Sequence, residues 1–201
     1  MAWEVFSIIG TIAFAISGAI VAMEEGYDLF GVYLLGIVTA FGGGAIRNLL
    51  IGLPVSTLWS QEMMFQIAIF SITFFFFFPH RLLSHWHRWG NFTDAIGLSA
   101  FAIQGAIHAV NLGLPMSAAI VAAVLTGCGG GIVRDLLAQR KPLVLRDEIY
   151  AVWAILAAIV IWLGLAASDW ALYVVFLIIT ALRVLSYTRK WQLPFRKLPI
   201  Q

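Results

Sequence analysis

The sequence predicts an all-α membrane protein with seven transmembrane helices, built as two inverted three-helix repeats plus a seventh helix. Three observations predict it. Composition is 62% hydrophobic and only 11% charged, with a mean hydropathy of +0.95; a soluble domain carries about 25% charge. Apolar runs recur at close to the ~20 residues that a helix needs to cross hydrocarbon. The chain also repeats itself: residues 10–50 align without a gap on residues 97–137, and 17 of the 41 positions are identical. That identity is far above chance and marks an internal duplication.

The spans fall at about 5–23, 29–52, 62–79, 93–111, 116–138, 147–167 and 169–188. The N-terminus Met1-Ala2-Trp3-Glu4 lacks a basic lead-in, so no cleavable signal peptide is expected and the first run stays as a spanning helix. The third run ends in Phe74 to Phe78, apolar enough for a lipid or interhelix face, and Pro79 terminates it. The fourth opens at Asp94, which reads as an N-cap or first-turn acid. Repeat one covers about 5–79 and repeat two about 93–167. The seventh helix is 169–188, followed by a basic tail, 189–201, and the whole of 1–201 is one transmembrane domain.

Seven spans alternate sides, so charge can be counted on each. Arg81, Arg88, Arg140, Lys141, Arg146, Arg189, Lys190, Arg196 and Lys197 all fall on one side, and the loops of the other side carry no Lys or Arg. The positive-inside rule makes the basic side cytoplasmic, in a cell (inner or plasma) membrane. The N-terminus is then outside and the C-terminus inside. Three spans per repeat force the two copies into opposite orientations, about an axis in the membrane plane.

The repeated core is Thr39-x-x-Gly42-Gly43-Gly44-x-x-Arg47-Asn48, which returns as Thr126-x-x-Gly129-Gly130-Gly131-x-x-Arg134-Asp135. Each glycine weakens a helix by about 1 kcal/mol relative to alanine. The expectation is that the second and fifth helices are kinked or broken at these triplets, lining a polar path. The alternative is close helix packing through small residues. An arginine near a helix centre costs about 2.5–3.5 kcal/mol on insertion scales, so Arg47 and Arg134 either tie off freed carbonyls or set the field along a path. Asp135, facing Asn48 across the repeat, breaks the symmetry. Thr39 and Thr126 either bond to their own helix backbone or line the path. The pathway candidates are therefore Thr39, Arg47, Asn48, Thr126, Arg134 and Asp135.

Ser17, Gln104 and His108 are further polar residues inside spans. Gln104 and His108, four apart, read as a hydrogen-bonded pair before they read as a proton relay. His80, His85 and His87 lie among Trp86 and Trp89, and an interfacial belt is favoured over a metal site. The single cysteine, Cys128, allows no intrachain disulfide and no cysteine-based metal site. No nucleophile elbow, phosphate loop or paired-acid arrangement occurs, which argues against an enzyme and against a cofactor. A net charge of +2 gives no footprint for nucleic acid.

The paired GGG-x-x-R-[DN] motifs, the two three-helix repeats and the lone seventh helix resemble the trimeric intracellular cation (TRIC) channel family, in its prokaryotic branch, over about residues 5–190. The resemblance implies a homotrimer with a pore in each protomer, permeable to potassium and other monovalent cations. It places Gly42, Gly43, Gly44, Gly129, Gly130 and Gly131 at bends around that pore, with Arg47 and Arg134 beside them. Animal members carry a lipid-linked lysine in the fifth helix, and 116–138 contains no lysine. The basic tail suits anionic lipid head groups. Some bacterial relatives are described as glycine importers, so the alternative is a small-solute carrier. There Arg47 or Arg134 would take a carboxylate and Asp135 an ammonium. A scaffold role leaves the duplicated arginines unexplained.

Overall fold

The structure is a computed structural model that describes residues 2–77, 86–145 and 149–191, with backbone alone at 86–88. Among the described residues the chain forms α1 (Ala2–Glu24), α2 (Leu29–Leu50), α3 (Glu62–Phe77), α4 (Trp86–Asn111), α5 (Met116–Leu137), α6 (Ala151–Trp162) and α7 (Asp169–Thr188). Two 3-10 turns, Val55–Ser60 and Leu143–Leu145, follow α2 and α5. By length and composition α1, α2, α5 and α7 can cross a membrane, while α3 and α6 are shorter apolar helices.

Helix ends follow local chemistry. Asp28 caps α2 by accepting the Gly31 N–H at 2.8 Å. Gly26 and Gly113, equivalent in the duplication, have φ of 71° and 68° and close α1 and α4. The next N–H returns to Ala22 and Ala109 carbonyls at 2.9 and 3.0 Å, the left-handed cap that glycine suits. Two boundaries differ from expectation. The sixth span shortens to Ala151–Trp162, because the Leu165 N–H turns back on the Val160 carbonyl at 3.1 Å. The fourth helix begins at Trp86 rather than 93, so Asp94 is not a cap. It lies well inside the helix and is buried. The Phe78-Pro79 terminus, Arg81, Arg146, the side chains of the His80, His85 and His87 cluster and most of the basic tail lie outside the described residues.

α1 and α4 form the centre. α1 packs on α2 and α3, α4 on α5 and α6, and α1 meets α4 as α2 meets α5. The α1–α4 contact is reciprocal: a Cβ at Gly10 would run into the Phe101 ring and one at Gly97 into the Phe14 ring. Those two rings meet edge to face at 5.2 Å. Alanine dominates the rest of the α4–α6 core (Ala100, Ala102, Ala106, Ala154, Ala157, Ala158), which lets helices approach closely without a water-driven hydrophobic term. α7 packs against this core, with Tyr173 and Phe176 at 5.4 and 5.6 Å from Phe6. Outward, Phe70, Phe74, Phe77, Leu177 and Trp170 are exposed, an apolar surface fitted to lipid and costly in water.

The glycine triplets do not break their helices, one of the two outcomes expected of them. α2 and α5 run as unbroken α-helices through Gly42–Gly44 and Gly129–Gly131. What the glycines provide is an antiparallel crossing at near backbone contact. A Cβ at Gly43 would sit 2.6 Å from the Thr126 carbonyl oxygen, and one at Gly130 would collide with the Thr39 carbonyl. Gly129 faces the Cα of Gly43. Small-residue packing, the alternative read from the sequence, is the arrangement found.

Candidate functional site

The α2–α5 crossing sets where the two arginines emerge, one turn beyond the last glycine. Arg134, 2% exposed, is held by two acids and a hydroxyl. Its Nε donates to Asp135 Oδ1 at 2.8 Å, and its Nη1 donates to Asp94 Oδ1 at 2.8 Å and Ser17 Oγ at 2.6 Å. The second oxygens are also occupied. Tyr150 OH donates to Asp94 Oδ2 at 2.6 Å, and the Leu143 N–H donates to Asp135 Oδ2 at 2.9 Å. Three helices, α1, α4 and α5, therefore meet on one guanidinium, and Tyr150 and the turn after α5 hold its two acids. A buried charge needs this degree of pairing. The Arg183 guanidinium lies over the Tyr150 ring, 4.4 Å from its centroid.

Arg47 is also buried, but its partner is neutral: Nε and Nη2 donate to Asn48 Oδ1 at 3.1 and 2.8 Å. Asn48 Nδ2 then donates to Thr57 Oγ1 at 2.9 Å, which holds the first 3-10 turn against α2. The positions equivalent to Asp94 and Ser17 are Ser7 and Gln104, and these two bond to each other. Gln104 thus pairs with Ser7 rather than with His108, which stacks on Trp3 at 5.0 Å. Thr39 and Thr126 turn their hydroxyls onto their own helices, to Leu35 O at 2.6 Å and Ala122 O at 2.5 Å. Each hydroxyl also abuts a glycine of the neighbouring helix, Gly18 or Gly105, where a Cβ would stand 2.5 Å away.

A polar cavity of about 160 Å³ opens beside Arg134. Arg134, Asp135 and Ser17 stand in its wall with Glu24, Arg140 and Lys141. Arg140 ties this end together: Nη1 meets Glu24 Oε2 at 2.7 Å and Nε meets Glu25. Partial burial lowers the Arg140 pKa, but the hydrogen bonds and charges of Glu24 and Glu25 outweigh it and hold the pKa above its ordinary value. Thr39, Thr126, Arg47 and Asn48 are not in this wall. The structure thus gathers Arg134 and Asp135 at the cavity, leaves Arg47 and Asn48 beneath the first 3-10 turn, and puts both threonines at helix contacts.

A family model described as "Glycine transporter" matches residues 4–80 and 91–166. The chain is 66% identical to the UPF0126 membrane protein YvgT of Bacillus subtilis over 98% of its own length and 97% of that protein's. Its fold is similar to that of a solved TRIC cation channel, at 37% identity and TM-score 0.83 over the full length of both chains. The TRIC orthologue from Rhodobacter sphaeroides aligns at 33% identity and TM-score 0.85, over 93% of this chain and 97% of that one. The chain belongs to the prokaryotic TRIC family. As a TRIC-family protein it is an integral membrane protein with an all-helical fold.

Three parts of the TRIC-type site escaped the sequence reading. Asp94 reads as a helix start, while Tyr150 inside the sixth span and Arg183 inside the seventh carry no signal in the sequence. A signal existed for the first: three residues before the aligned block, Asp94 falls opposite Ser7. An acid there marks repeat two as the half that binds its arginine by charge.

Proposed function

We propose that this chain is a monovalent cation channel, permeable to potassium, that assembles as a homotrimer with a pore in each protomer. The observation that carries this reading is the full-length likeness to solved TRIC cation channels. The geometry adds support. An exposed arginine on the path would repel cations, whereas Arg134 is covered by two carboxylates. The path we propose enters at the cavity, passes Arg134 and Asp135, follows the α2–α5 crossing past Thr126 and Thr39, and leaves near Arg47 and Asn48. Movement of the two helices at their glycine contact would open it.

We further propose seven spans, with residues 5–79 and 93–167 as inverted repeats. The antiparallel pairing of α2 with α5 and the reciprocal contacts of Gly10 with Phe101 and Gly97 with Phe14 support this. The Ala2 N–H meets Asp169 at 3.3 Å, so α1 and α7 start at one end of the bundle, as an even number of intervening crossings requires. The end that carries Arg140, Lys141 and the tail is cytoplasmic, and the tail meets anionic lipid there.

A second reading, a glycine carrier, is favoured by the description of the matching family model. It requires a free cation for the carboxylate, and the Nε and Nη1 of Arg134 are both already engaged. The test is flux from one preparation of purified protein in lipid. Discrete potassium steps without glycine counterflow support the channel, and saturable counterflow without steps supports the carrier.

A further inference from the structure

In the repeated motif, two arginines stand against one acid, a balance that favours anions. The folded chain alters that balance at the cavity. Three cations stand there: Arg134, Arg140 and Lys141. Against them stand four carboxylates: Glu24 and Asp135 in the wall, Glu25 bonded to Arg140, and Asp94 bonded to Arg134. The formal balance is negative by one charge, and without Asp94 it would be zero. Arg183, over the Tyr150 ring, stands outside the wall as Asp94 and Glu25 do, and the count takes only the wall residues and the acids paired to them.

The four acids do not act equally. Glu24 and Glu25 have side chains 19% and 35% exposed, so water and salt screen them. Asp94 is 1% exposed and Asp135 is 3% exposed. Fields from buried charges reach a neighbouring cavity with little screening. Asp135 offsets Arg134, and Asp94 supplies the surplus negative charge. Repeat one has no such surplus, because Ser7 occupies the position of Asp94 and Asn48 that of Asp135. The cavity end and the Arg47 end thus differ in sign.

We propose that Asp94 is the charge-selectivity determinant of this channel, acting through its ion pair with Arg134 to make the cavity net negative and so prefer potassium over chloride. The inference rests on the channel reading.

The test is the reversal potential of single-protein bilayers in asymmetric KCl. Asp94→Asn keeps the shape and removes one charge. We expect the potassium-to-chloride permeability ratio to fall by about tenfold, the order expected of one charge about 8 Å away at an effective dielectric of about 60, since the two ions shift in opposite senses. Asp94→Glu should keep the wild-type ratio. Two double variants separate charge from structure. Asp94→Asn with Lys141→Gln restores the balance at an exposed wall residue and should recover cation preference. Asp94→Asn with Arg134→Gln removes the pair whole, leaves Asp135 as the one buried charge there, still bonded to the Leu143 N–H, and should also stay cation-selective. An unchanged ratio in folded Asp94→Asn, or anion-leaning currents from either double variant, overturns the inference while the channel stands. Wild-type protein that passes no current overturns the channel reading and this inference with it.

Discussion

At the residue scale, the chemistry concentrates on Arg134. It sits in a span where an unpaired charge would cost several kcal/mol, and three hydrogen-bonded groups remove most of that cost. Removing one partner is therefore worse than never having had the pair. Arg134→Ala should destabilise the protein by about 3–5 kcal/mol, because Asp94 and Asp135 are left facing each other without a cation. Thermal unfolding in detergent checks this, and a melting temperature equal to wild type would contradict it. Tyr150→Phe deletes only the hydroxyl that donates to Asp94 and should cost about 1–3 kcal/mol by the same measurement. The pairing of Arg134 with Asp135 was legible in the sequence as adjacency. The pairing with Asp94 was not, since 40 residues separate them and the helix start that would place Asp94 inside α4 lies beyond the apolar run. Span reading sees hydropathy, and the polar first turns of α4 carry no such signal.

At the element scale, the triplets act by position. Gly43 and Gly130 meet the partner backbone, while a Cβ at Gly42 or Gly44 would find its nearest neighbours at 3.8–4.0 Å. Gly43→Ala and Gly130→Ala should destabilise by about 1–3 kcal/mol through overpacking, and Gly130→Leu by more. Gly42→Ala and Gly44→Ala should be neutral or stabilise by up to about 1 kcal/mol through helix propensity. Unfolding midpoints for the four alanine variants decide this, and equal losses at all four would favour a bend over a crossing. The motif itself was plain in the sequence. Its geometry was not, because consecutive glycines in a span are consistent with a broken helix or with a close crossing, and only the neighbouring helix distinguishes them. The same holds for Thr39 and Thr126: duplication flagged them, yet their hydroxyls answer to their own helices.

At the scale of the whole molecule, the all-helical membrane fold was legible from hydropathy and from the repeat. The duplication also shows in the packing: α1 with α2 and α4 with α5 are bound through matching glycines, Gly18 and Gly105. The short sixth helix and the early start of the fourth differ from the apolar runs, since a turn hydrogen bond ends the sixth before its run does and polar first turns carry the fourth beyond its own. The proposed topology makes a further prediction. In a Cys128→Ala background, a cysteine at Ser168 should react with an impermeant thiol reagent added outside intact cells, and one at Arg189 should not. Labelling in the reverse pattern would invert the orientation. The central claim is cation conduction, and the measurement that tests it most directly is current from the purified protein in a planar bilayer, with labelled-glycine counterflow from the same preparation. Discrete, cation-selective potassium steps without counterflow are the predicted result. Saturable glycine counterflow without steps would contradict it and make the chain a carrier.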